Sequence, residues 1–171
     1  MAMTINTEAA RLAVETYFTS EAAEMYCILG GSVVLGLCSV VLWLRFNDQF
    51  SIALGITLII LALLFAAAGA SLLIRDSKNA QMLQETLRGE DIAAQQSVLT
   101  LERQRMQTVA DNYQNLRMAF AALALIGALL IVFTHHNISH AIAVGLLIMA
   151  LAGVVIDKYS EVRTLIYLKH L

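Results

Sequence analysis

Few side chains in this sequence could do chemistry, and they are poorly clustered. Three of the four histidines, His135, His136 and His140, fall within one short stretch. His136 and His140 are four apart and would share a helix face if a helix begins there. Zinc sites take three or four ligands, and no Cys, Asp or Glu stands near these histidines in sequence. They read as an exposed turn, with a pH-responsive contact as the alternative because imidazole titrates near neutrality. Cys27 and Cys38 are the only cysteines. On one straight helix they lie roughly 16 Å apart, too far to bond with each other, so they read as small apolar residues. Ser32, Ser39, Thr57 and Ser71 would line a pore only in an oligomer. The sequence has no Gly-rich phosphate loop and no nucleophile elbow. No catalytic residue, metal ligand, cofactor or small-molecule substrate is expected.

These residues sit among four apolar runs, 26–44, 50–74, 118–134 and 141–156, none of which contains Asp, Glu, Lys or Arg. Ion-coupled transporters, proton relays and voltage sensors need ionisable groups at depth, so this pattern argues against them. The chain is 59% hydrophobic and only 14% charged, and its mean hydropathy is +0.73. Soluble domains carry about 25% charged residues. A surface in contact with lipid removes that conflict. A spanning helix needs about 20 apolar residues. Tyr26 and Trp43 mark the ends of the first run, where amphipathic rings favour the interface. Proline is absent, which suits long uninterrupted helices. The expected fold is an all-α integral membrane protein, with four transmembrane helices in two hairpins joined by a cytoplasmic amphipathic helical segment. Its parts are a polar N-terminal segment, 1–25, a first hairpin, 26–74, a connector, 75–117, a second hairpin, 118–156, and a tail, 157–171.

The polar parts carry their own patterns. Ile5, Ala9, Leu12, Ala13 and Phe18 recur at near-helical spacing, which predicts a short amphipathic helix on the membrane surface. The tail has a similar apolar side (Tyr159, Val162, Leu165, Ile166, Leu168) and is expected to lie along the surface too. Within the connector, Gly89 followed by Glu90-Asp91 reads as a helix stop and a new start. Ile92, Leu99, Met106, Tyr113 and Phe120 then repeat every seven residues, with Val109 and Leu116 on the same stripe. Ile92, Leu99, Met106, Val109, Tyr113 and Leu116 are candidate partner-docking residues. The competing expectation is that this helix packs on its own neighbour. The outgoing arm to Arg88 reaches roughly 20 Å and the return arm roughly 40 Å, so a break is expected near Gln95-Gln96-Ser97, with Ser97 as the new N-cap. Small residues in the spans let helix backbones approach closely, and Ser32, Gly36, Ala66, Ala70, Ala124 and Ala128 are candidate helix-packing positions.

Ten of the eleven Lys+Arg residues fall in the N-terminal segment, the connector and the tail, leaving only Arg45 on the opposite side. Positive residues flanking spans stay inside. A bacterial-type inner membrane with both termini cytoplasmic is therefore expected. Ser51-Ile52-Ala53-Leu54-Gly55 resembles Ala141-Ile142-Ala143-Val144-Gly145, each just after a turn, which suggests parallel repeated halves. Net charge is −2, and acids offset the basic residues of the connector, so nucleic acid is not an expected partner. The expected partners are the lipid bilayer and a protein, through docking or self-association. The expected role is non-enzymatic and exercised by protein–protein contact, as in a small subunit of a secretion or conjugation complex. The alternatives are an immunity-type protein against a pore-forming toxin and a homo-oligomeric channel or pore.

Overall fold

The computed structural model describes residues 7–171. Four helices follow one another: α1 (Thr7–Arg45), α2 (Gln49–Arg88), α3 (Ile92–Phe133) and α4 (Asn137–His170). Each is long and apolar enough to cross a membrane. No strand occurs among the described residues. The tight turns have local causes. Asp48 caps α2, accepting from the Ser51 amide at 3.0 Å and the Ser51 hydroxyl at 2.7 Å. Gly89 closes α2, and the Asp91 carboxylate accepts from the amides of Ala93 and Ala94 to open α3.

Several expectations give way to continuous helices. Residues 7–25 do not lie apart from the first span; α1 runs straight through them. Ile5, expected on the same amphipathic face, lies outside the described residues. The tail is likewise the end of α4, and Thr164 and Tyr167 are buried in the bundle. α3 is unbroken through Gln95-Gln96-Ser97. Asp91 is its N-cap, and the Ser97 hydroxyl donates back to the Ala94 carbonyl within the helix. Gln95 has another task. Its side-chain amide donates to the Gly89 carbonyl at 2.6 Å, covering an acceptor at the end of α2 that would otherwise lack a partner. Unequal arms need no break because α3 leaves α2 early and follows α4 for most of its length.

The two hairpins lie side by side with α2 and α4 innermost. In the most apolar stretches, 28% of α2 and of α4 is buried, against 11% of α1 and 6% of α3. Glycine sets the closest approach. A β-carbon at Gly145 would strike the Thr57 side chain of α2, and one at Gly153 would strike the Phe120 ring of α3. In the first hairpin, the Ser39 hydroxyl donates to the Gly55 carbonyl at 2.7 Å. The two resembling pentapeptides therefore end in buried glycines with different duties. Gly55 makes room for Trp43 of its own hairpin, and Gly145 for Thr57 of the other.

The main cluster of buried large side chains lies beyond the apolar runs. Ala10, Val14, Tyr17 and Phe18 of α1 meet Leu83 and Leu87 of α2, Leu99 and Met106 of α3, and Tyr167 of α4. All four helices thus continue past their apolar halves into a second, water-compatible four-helix bundle.

Candidate functional site

Where the apolar halves meet this bundle, the helices carry a buried polar network. Arg163 of α4 reaches Glu21 and Glu24 of α1, with all three side chains mostly buried. The Ser160 hydroxyl donates to Glu24 at 2.9 Å. One turn further up, the Tyr17 and Tyr167 rings stack with centroids 4.3 Å apart. The Tyr17 hydroxyl donates to Glu21 at 3.4 Å, and that of Tyr167 to Glu102 of α3 at 3.3 Å. Arg105 grips Glu102 through two nitrogens, at 2.6 and 2.7 Å. Tyr113 and Thr164 share a hydroxyl–hydroxyl bond of 2.9 Å between α3 and α4. At the outer edge Arg117 bonds Glu161 with both terminal nitrogens, at 3.0 and 3.2 Å, and Lys158 joins it at 3.0 Å.

Electrostatics follow from burial. Desolvation pushes the Glu21 carboxyl above its ordinary range, with Arg163 opposing and Glu24 adding to the rise. Burial also works against the charge on Arg163, but the hydrogen bond to Glu24 and the attraction of Glu21 outweigh it and raise its pKa. Arg105 is raised chiefly by its hydrogen bond to Glu102. The Tyr17 and Tyr167 phenols are pushed upward by burial first, then by Glu21 and Glu102 respectively. Asp157 stands slightly apart. It is 5% exposed, neither carboxyl oxygen has a hydrogen bond, and burial raises its pKa against the pull of Arg117. This arrangement ties α1, α3 and α4 together by charge. No group of three metal-capable side chains occurs among the described residues.

Of the partner-docking stripe, Leu99, Met106 and Tyr113 are buried, Met106 at 0% exposure, and they belong to the chain's own bundle. Val109 is half-buried, while Ile92 (69% exposed) and Leu116 face outward. The seven-residue repeat thus binds α3 to its own neighbours, and its buried members are closed to any partner while the bundle stands. Of the packing positions, Ser32 is buried, with its hydroxyl bonded to the Ile28 carbonyl of its own helix. Ala66, Ala70 and Ala124 are half-buried, Ala128 is exposed, and Gly36 borders open space. The glycines beside them also make close contacts: Gly69 packs against Ile28 and Leu29, and Gly127 against Ala143 and Leu147. His135 and His136 are exposed, and His140 bonds the Thr134 carbonyl at 2.8 Å.

The Arg163–Glu21–Glu24 link is absent from the sequence expectations. A usable signal existed: Ser160, Arg163, Thr164 and Tyr167 share one face of α4 at spacings of three and four, so one tail arginine pointed inward with polar company. No family model, curated protein or solved structure matches this chain.

Proposed function

We propose that this chain is a non-enzymatic four-span protein of a bacterial-type inner membrane, with spans 26–44, 50–74, 118–134 and 141–156 and both termini in the cytoplasm. It acts by protein–protein contact, as a small subunit of a larger membrane assembly such as a secretion or conjugation apparatus. The observation that carries this reading is the exposure of the two outer helices. The outward face of the apolar half of α1 is uncovered, with Val33, Val34, Leu37 and Val41 exposed, and β-carbons added at Gly30, Gly31 or Gly36 would meet nothing within 4 Å. Lipid packs well against branched side chains, whereas a glycine notch suits another helix backbone. The rigid bundle below, locked by Arg163, fixes the angle at which that face is presented.

The test is site-specific photo-crosslinking from position 34 of α1 in intact membranes, with Ala150 of α4, which is buried, as the silent control. A discrete protein adduct at position 34 is expected. Lipid adducts alone at position 34, across native expression conditions, would contradict the proposal.

A further inference from the structure

We infer that the partner on α1 is a second copy of this chain, seated in the groove between α1 and α4. This deepens the membrane-contact reading above and rests on it. Three observations converge. The first is the groove itself, an open channel of about 800 Å³ alongside the polar bundle. Its floor is the stacked Tyr17–Tyr167 pair, and its walls carry Leu12, Tyr159, Val162 and Ile166, all well exposed. Apolar walls in water call for a cover.

The second is the face of α1 on which the groove opens. Thr16, Ser20, Ala23, Cys27, Gly30 and Val34 recur at alternating spacings of four and three. A 3.5-residue repeat keeps one seam against a partner helix in a left-handed supercoil. Every residue of this seam but Val34 is small, and none is buried in the chain. The seam passes from the groove down into the apolar half without interruption. Its occupant must be a long helix that turns from water-compatible to lipid-compatible at the same height. A soluble helix would fill only the upper part and a lipid chain only the lower. Another α1 meets both conditions.

The third is charge. Tyr17 stacks on Tyr167, and α1 and α4 run antiparallel, so Glu15 and Lys169 stand at one height. Both are exposed, and neither has an ion-pair partner among the described residues. Glu15 is on the side of α1 turned toward the cleft with α2, and so faces away from its own chain's α4. A two-fold axis along the membrane normal preserves height, so it brings Glu15 of one copy to Lys169 of the other, twice. Such a closed two-fold contact is self-complementary.

The test is the mass of the purified protein in detergent, with oxidative trapping in native membranes as a second readout. The wild type is expected to run at twice the chain mass and to yield a Cys27–Cys27 linked dimer. Gly30→Ile, where the chain itself offers only open space, is expected to weaken the dimer at least tenfold. Leu125→Trp, on the exposed face of α3, is expected to leave it unchanged. Glu15→Lys is expected to weaken it about threefold, and Glu15→Lys with Lys169→Glu to restore it. A monomer at every detergent ratio, with no Cys27 link in membranes, would overturn the inference. If the position-34 crosslinker then captures a different protein, only the identity of the partner fails. If it captures lipid alone, the membrane-contact reading fails with it.

Discussion

The two halves of this molecule are held together by different means. In the apolar half, large side chains such as Leu63, Leu125 and Val132 point outward, and the helices approach closely at glycines, alanines and hydroxyl groups, with Leu58 and Leu61 buried among them. In the polar half, Met106, Leu83 and Val14 point inward, and charges bridge the helices at the rim. The same four helices thus turn their hydrophobic faces inside out along their length. Water drives burial in one half. Where lipid is the surrounding solvent, no such force acts between helices, and close backbone approach takes its place.

Substitutions can break or sharpen that contrast. The largest effect is expected for Met106→Ala, which empties the centre of the polar bundle and is predicted to cost about 3–4 kcal/mol. Equilibrium unfolding in mild detergent, followed by far-UV circular dichroism, reads this directly. Because Met106 is enclosed, Met106→Glu is expected to unfold the bundle before it releases any partner. Arg163→Ala comes next, at about 2–3 kcal/mol, since it leaves Glu21 and Glu24 without their cation in a mostly buried setting. Hydrogen exchange should show the loss first between α1 and α4. Tyr113→Phe removes the hydroxyl bond shared with Thr164; about 1 kcal/mol is expected. The smallest effect is expected for Val132→Ala on the outer face of α3, within about 0.5 kcal/mol of wild type in lipid. A loss well beyond that range would mean that the face is covered.

The pH response sharpens the same contrast from the polar side. The folded-state pKa of Glu21 lies above its ordinary value of 4.5, with burial as the main cause. Its contribution to stability is therefore full below 4.5 and is lost as pH rises through the raised value. Glu21→Gln keeps a polar group beside Arg163 and removes that titration. The variant is expected to show a flatter stability–pH curve just above 4.5 than the wild type, measured by thermal melts across the acid range. An unchanged curve would shift the burden to Asp157, whose pKa is raised for the same reason.

The apolar half is plain in the sequence because uncharged runs of span length cannot be left open to water at reasonable cost. Four helices, two hairpins and the stop at Gly89 are all legible from composition and turn residues. The polar half is harder to read. Periodicity finds the stripe through Leu99, Met106 and Tyr113, but it cannot say whether that face meets its own chain or a stranger. Burial decides this, and Tyr17, Leu83 and Tyr167 supply the cover. The 1–25 segment and the tail suggest surface-lying amphipathic helices because Leu12 and Ile166 look like lipid-facing residues. Both line the groove beside the bundle instead. The expected break at Ser97 fails for a related reason: length arithmetic assumes that α3 retraces α2, whereas it follows α4. Small-residue counting points to the stretches where Gly69 and Gly127, next to Ala70 and Ala128, make close contacts.

Topology mapping tests the two-solvent architecture most directly. Single cysteines in a background lacking Cys27 and Cys38, placed at Gly89, Leu171, Asn47 and His135, are probed with a membrane-impermeant thiol reagent on intact cells and on inverted vesicles. Labelling of 89 and 171 only in inverted vesicles, and of 47 and 135 only in intact cells, is the predicted outcome. Positions 89 and 47 reacting from the same side would contradict it.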